Sequence, residues 1–188
     1  PGIKVLAPAT VADARYMLCM ALKDPDPVIL FEHVMLYNAS DEIPMPEDCP
    51  DMHQACVRKS GIDISLITYG GSLSKTLQAA SELEKQGVSA EVVDLRCLRP
   101  LDTQTLFKSV NKTHRVLVVD EGWRTGSLAS EVCALVAEHC FWSLDAPPNR
   151  ICSKEVPIPY PQHLERAATP QVAQVIEAAL IMLNRDVT

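Results

Sequence analysis

A chain of 188 residues with 24 acidic and 17 basic side chains, net charge −7, can hold one sizeable core or two small ones. It lacks the clustered Lys and Arg that neutralising nucleic-acid phosphates requires, so no nucleic-acid partner is expected, and its acidity suits a basic protein partner better. The 47% hydrophobic and 22% charged residues make an ordinary globular balance, and no apolar run approaches the ~20 residues of a membrane-spanning helix, so no membrane partner is expected either.

The chain opens at Pro1 directly into "PGIKVLAP", as expected of the later part of a longer polypeptide. "IKVLAP" predicts a short strand, Thr10 an N-cap for a helix from about Val11 to Lys23, and "VILFE" the next buried strand. Val11, Ala14, Leu18, Ala21 and Leu22 form one apolar stripe on that helix, and Ala12, Tyr16, Cys19 and Met20 a second, so the helix should be covered on more than one side. A βαβ unit of this size cannot close a core by itself, and the expectation is that it needs neighbours outside the chain. Residues 38–52, "NASDEIPMPEDCPDM", hold three prolines and five acidic residues without periodicity and read as an exposed linker.

Beyond Cys56 the pattern becomes regular. "DISLITYG" predicts a strand, and Ser72 to Gln86 a helix with Leu73, Leu77, Ala80 and Leu83 on one face. "VSAEVVDL" is a strand, 102–110 a short helix capped by Asp102, and "RVLVVDE" a strand. Ser127 to His139 is a helix, "RICS" a short strand and Gln171 to Asn184 the closing helix. Strands alternating with helices at these intervals predict an α/β fold: mostly parallel sheets flanked by helices.

Four features invite a chemical reading. Seven cysteines without a CxxC pair read as reduced, buried thiols, and five histidines without metal-ligand spacing, His139 beside Cys140 among them, as packing residues. Asp120 and Glu121 stand at the carboxyl end of a strand, where ligands of open parallel sheets gather; with no His, Lys or nucleophile in the motif, they read as solvating a strand end beside the Gly122 to Gly126 turn. "YGGSLSKT" could cradle an anion, yet lacks both phosphate-loop spacings and reads as a tight turn with Ser72 or Ser74 as N-cap. "ALKDPDP" sets two carboxylates, Asp24 and Asp26, against the unpaired carbonyls of a helix end; it is either an Asp-Pro helix stop or hard-oxygen surroundings for a cation.

Taken together, "PGIKVLAPATVADARYMLCMALKDPDPVILFEHVMLY", "SLITYGGSLSKTLQAASEL", "VSAEVVDLRCLRPLDTQTLFKSV", "VLVVDEGWRTGSLASEV", "LDAP" and "EVPIPYP" resemble the later part of the beta subunit of the thiamine-diphosphate-dependent, decarboxylating component of 2-oxo acid dehydrogenase complexes, the pyruvate dehydrogenase branch most of all. The resemblance runs over essentially the whole chain in the family's order. It implies that 1–45 is the C-terminal part of a pyrimidine-binding domain, 46–55 a linker, and 56–188 a transketolase-like C-terminal domain. It implies two alpha and two beta subunits with thiamine diphosphate held between an alpha and a beta subunit, in the bacterial cytoplasm or mitochondrial matrix.

The family's catalytic Glu and His match positions upstream of Pro1, so the resemblance carries no catalytic or cofactor-binding residue onto this chain and implies an inactive fragment. It does carry a potassium site onto Ala21, Leu22, Asp24 and Asp26, although many relatives have Asn where Asp26 stands. It also places Asp145 of "LDAP" near the docking surface for the basic peripheral-subunit-binding domain of the dihydrolipoyl acyltransferase. Under it, Asp120 and Glu121 shape a turn and a subunit contact. Branched-chain and acetoin-type beta subunits, or a non-catalytic assembly module of the same fold, are the alternatives.

Overall fold

The computed structural model describes residues 2–41 and 51–185 as an α/β arrangement of two sheets flanked by helices. Strand β1 (Lys4–Leu6) runs parallel to β2 (Val28–Leu30), and helix α1 (Val11–Ala21) connects them. Thr10 caps α1 as its sequence promised, its hydroxyl accepting the Asp13 amide at 3.1 Å. The helix stops at Ala21, short of Lys23, just ahead of the Asp-Pro repeat that cannot continue it.

The buried line of α1 belongs to neither predicted stripe: Met17 and Asp13 point inward, while Leu18 and Leu22 are 44% and 79% exposed. Nor does β1 wait for a strand from elsewhere. Its open edge is taken by β6 (Cys97–Arg99), antiparallel, from this same chain. Leu6, Met17, Met52 and Cys97 then close a small core that joins both parts of the chain. The chain reaches β6 through Arg96, whose φ of +55° puts a non-glycine residue in the left-handed region. Its guanidinium explains how that cost is offset: Nε donates to Asp13 Oδ1 at 2.9 Å and Nη1 to the carbonyls of Asp51 and Gln54 at 2.9 and 2.8 Å. Arg58 binds the other Asp13 oxygen and donates to Asp94 Oδ2 at 2.8 Å, so a buried charge cluster ties α1 to the second sheet.

The second sheet has five strands in the order β3 (Cys56–Lys59), β5 (Ala90–Asp94), β4 (Ile64–Thr68), β7 (Val116–Trp123), β8 (Asn149–Ser153), all pairs parallel except β3 with β5. Alternation sends Ile64, Leu66, Val92 and Val119 to one face, where α2 (Ser72–Lys85) and α6 (Val172–Met182) cover them through Leu73, Leu83, Val175 and Ala179. Ile67, Val93, Val116 and Val118 face the other way, under α3 (Thr103–Thr113) and α4 (Leu128–His139). Each such fully buried aliphatic side chain contributes about 1.5–3 kcal/mol. Asp102 caps α3 through the Thr105 amide at 3.1 Å, as expected, and α3 runs on past 110 to Thr113. The remaining helix, α5 (Gln162–Ala168), follows a proline-rich connection that hid it from periodicity.

The N-cap of α2 is Gly71 rather than Ser72 or Ser74; Ser72 is already inside the helix with its hydroxyl buried and unpartnered among the described residues. His139 stacks on Phe107 at 5.0 Å, a packing role as read. The six described cysteines are free, with Cys19 exposed against expectation, and burial pushes the thiols of Cys97, Cys133, Cys140 and Cys152 above their usual range. Cys49, residues 42–45 of the expected first domain and residues 46–50 of the 46–55 linker lie outside the described residues.

Candidate functional site

Strand β7 carries, towards its carboxyl end, two adjacent carboxylates with opposite surroundings. Asp120 is fully buried. Its Oδ1 accepts Tyr69 Oη and the Gly122 amide, both at 2.6 Å, and Oδ2 accepts the Ala129 amide at 3.0 Å. It therefore does not solvate a strand end; it shapes the turn and holds the first turn of α4, with no lone pair aimed outward for acid/base work. Burial beside this carboxylate also lifts the Tyr69 hydroxyl far above the ordinary phenol range.

Glu121, one residue on, faces the first sheet. Its Oε2 lies 2.8 Å from His33 Nε2, and its Oε1 accepts Lys75 Nζ at 3.1 Å. The motif contained no His or Lys, but the fold supplies one of each, from 88 residues upstream and from the first turn of α2. Gly71 makes room for the ring: a Cβ there would sit 2.6 Å from His33 Nε2. Ala7, Phe31, His33, Tyr69, Gly71 and Glu121 line a cleft of about 220 Å³ between the sheets. With both oxygens engaged, Glu121 works as a tie across that cleft.

The "ALKDPDP" turn gathers hard oxygens. Lys4 Nζ, on β1, donates to both Asp24 carboxylate oxygens at 2.7 Å and lies 3.3 Å from Asp26 Oδ2. Asp24 Oδ1 also accepts the Asp26 amide at 2.9 Å. The ammonium holds the Asp24 carboxyl below its usual range, and its hydrogen bond to Asp24 raises Lys4 in turn. The Ala21 carbonyl accepts the Asp24 amide at 3.3 Å, while that of Leu22 accepts no backbone hydrogen bond among the described residues. The four residues are thus close together, and Lys4 already neutralises part of their charge. No group of three or more His, Cys, Asp or Glu side chains suited to a metal ion occurs among the described residues, so a cation here would rely on carbonyls.

Asp145 stands on another face. Its side chain is half exposed and pairs with Arg115 Nη1 at 3.1 Å. The neighbouring Trp142 is 95% exposed, and Phe141, Trp142, Leu144, Asp145 and Pro147 border an open groove of about 420 Å³.

Residues 53–175 match the family model described as "Transketolase, C-terminal domain". The chain belongs to the transketolase C-terminal domain family. This transketolase C-terminal domain and the segment before it are 40% identical over 185 residues to pyruvate dehydrogenase E1 component subunit beta-1, mitochondrial, of Arabidopsis thaliana, covering 95% of the chain and 50% of that protein. Identity is 41% to the pyruvate dehydrogenase E1 component subunit beta of Rhizobium meliloti, over 95% of the chain and 39% of the relative. It is 42% to the 2-oxoisovalerate dehydrogenase subunit beta of Bacillus subtilis, over 88% of the chain and 51% of the relative. The chain spans about half the length of these curated relatives. Among solved structures, a split-gene transketolase described as an inactive beta4 tetramer superposes with a TM-score of 0.80 at 25% identity, covering 98% of this chain and 59% of that one.

The sequence-predicted groups thus occupy three separate places: the Ala21 to Asp26 turn on the first sheet, before the transketolase C-terminal domain, and within that domain Asp145 beyond α4 and the Asp120 and Glu121 pair at the cleft. His33 and Lys75 were missed. Only the Gly70–Gly71 pair, which signals a close backbone approach after a strand, hinted that something packs there.

Proposed function

We propose that this chain is part of the beta subunit of a pyruvate dehydrogenase, the component that decarboxylates pyruvate with thiamine diphosphate and passes the acetyl group to a lipoyl domain. What supports this reading is identity near 40% sustained along 95–100% of the chain with pyruvate dehydrogenase beta subunits. Residues 1–45 are then the end of the pyrimidine-binding domain, and 56–188 the C-terminal domain, with partners in an alpha subunit and a second beta subunit. The groups that bind thiamine diphosphate and act on the keto acid are contributed by residues outside this chain, which alone is inactive. The compartment is the bacterial cytoplasm or the mitochondrial matrix.

A full-length subunit carrying this sequence, assembled with its alpha subunit and thiamine diphosphate, should turn over pyruvate faster than branched 2-oxo acids. The reverse preference would select the branched-chain reading, which the 42% identity to a 2-oxoisovalerate dehydrogenase subunit favours. Turnover of any keto acid by this chain alone would overturn the division of labour.

Two sites accompany this function. Potassium binds at the α1 end through the carbonyls of Ala21 and Leu22 and the carboxylates of Asp24 and Asp26, with Lys4 sharing the carboxylates; the Leu22 carbonyl, which accepts no backbone hydrogen bond among the described residues, and the Asp24 oxygens supply donors of the right hardness. Unfolding temperature should rise with potassium but not with an equal concentration of a quaternary ammonium salt, and D24N should abolish the difference. The peripheral-subunit-binding domain of the acyltransferase docks by its basic surface near Asp145, beside exposed Trp142. There D145N should slow association and flatten its salt dependence more than it changes the off-rate.

A further inference from the structure

A third groove, between the start of α4 and the beginning of β8, belongs to neither proposed site. Arg124, Gly126, Ser130, Cys133, Pro148 and Arg150 line it, and its volume is about 570 Å³, within the roughly 300–1,000 Å³ of small-ligand sites. Both its cations lack a counter-charge: among the described residues neither Arg124 nor Arg150 has a carboxylate partner, whereas Arg58, Arg96 and Arg115 each do. Arg124 is exposed and Arg150 half-buried, and it is the half-buried Arg150 without an acid that stands out in a chain of net charge −7.

The two arginines are held, not free to wander. Arg124 Nη1 donates to the Arg150 carbonyl at 3.0 Å, and Arg150 Nη1 donates to Ser130 Oγ. Ser130 Oγ in turn donates to the Arg124 carbonyl at 3.1 Å, so backbone and side chains of all three residues brace one another. Glu155 reaches the wall of the groove, where its Oε1 accepts the amide of Thr125, another lining residue, at 2.9 Å, and it pairs with neither arginine among the described residues. Both side chains present planar guanidinium forks to the groove, of a shape that matches the oxygens of a phosphate.

We infer that this groove binds the phosphate group of a small ligand between Arg124 and Arg150, with Ser130 as orienting partner. The chemistry is shared by free inorganic phosphate and by a phosphate monoester, and the groove volume exceeds what phosphate alone fills.

The test is calorimetric titration of the full chain with inorganic phosphate and with a simple phosphate monoester, at ionic strength held constant with chloride. Saturable binding is expected, weakened about tenfold in R124A and in R150A and largely kept in R150K, which retains charge but not the fork. R15A removes an equal charge from exposed α1 and should leave binding unchanged. Tighter binding of the monoester assigns the site to an organic phosphate, and equal binding to free phosphate; either supports the inference. Absence of saturable binding overturns it, as does equal weakening by R15A, which would mean only diffuse attraction. Binding to the free chain that disappears once the other subunits assemble also overturns it, assigning the arginines to a partner's carboxylate.

Discussion

His33 Nε2 lies 2.8 Å from Glu121 Oε2, closing a contact between residues 88 positions apart and joining the end of the first sheet to the carboxyl end of β7. Lys75 on the other Glu121 oxygen makes this a three-residue tie. H33A and E121Q should each destabilise by about 1 kcal/mol, the scale of a partly buried charged hydrogen bond. Hydrogen exchange of the 31–37 amides should speed up in both.

Gly71 provides a cleaner probe of the same tie. Its φ of −61° and ψ of −23° suit any residue, so G71A acts through space alone, pushing the His33 ring from its place. G71A should therefore resemble H33A in exchange and stability, and in an H33A background it should be nearly neutral. A large additional cost in the double mutant would show that the crowding lies elsewhere.

The buried cluster of Asp13, Arg58, Asp94 and Arg96 should be the least tolerant of truncation. D13A removes the carboxylate that accepts Nε of Arg96, a residue only 1% exposed, and should cost about 3–5 kcal/mol in denaturant unfolding. Since Asp13 is also where α1 meets the second sheet, residues 4–30 should lose exchange protection ahead of α2 and α6.

Asp94 adds a pH signature. Burial pushes its carboxyl up to about 6 from the ordinary 3.8, in opposition to the Arg58 guanidinium. Because the folded protein then binds this proton more tightly than the unfolded chain, the group's contribution to stability is full below pH 3.8 and is lost as pH rises to about 6. The stability difference between wild type and D94N, followed by unfolding across that window, should fall with rising pH and level off above it.

Gly61 is a steric prediction. A Cβ there would lie 2.2 Å from the Ala90 carbonyl carbon and 2.3 Å from the Glu91 nitrogen, both backbone atoms that cannot step aside. G61A should cost at least the roughly 1–3 kcal/mol of an overpacked core, and is expected to lower the unfolding temperature more than G71A.

Much of this molecule is written locally. Thr10 and Asp102 cap their helices because a side-chain oxygen reaches an amide three residues on, whatever the rest of the chain does. Leu73, Ala80 and Leu83 share a face by helical period alone, and the alternation of Ile64, Leu66 and Ile67 in β4 already implies a sheet covered on both sides. Even Asp120, a carboxylate beside a glycine turn and a helix start, stands where its hydrogen bonds to the next turn are short-range.

What only the tertiary structure decided involves partners brought together over long separations. The three-residue strand Cys97–Arg99 carries no period long enough to read, and its pairing with β1 depends on the left-handed turn at Arg96, stabilised by Asp13 from 83 residues away. That same pairing turned α1 so that Asp13 and Met17 face inward while the apolar Leu18 and Leu22 do not, the reverse of what hydrophobicity suggests. Glu121 is an ordinary acid in sequence and a tie in space. Local periodicity fixes which face an element buries only when burial is apolar; where two charges are buried together, each is intelligible only beside the other.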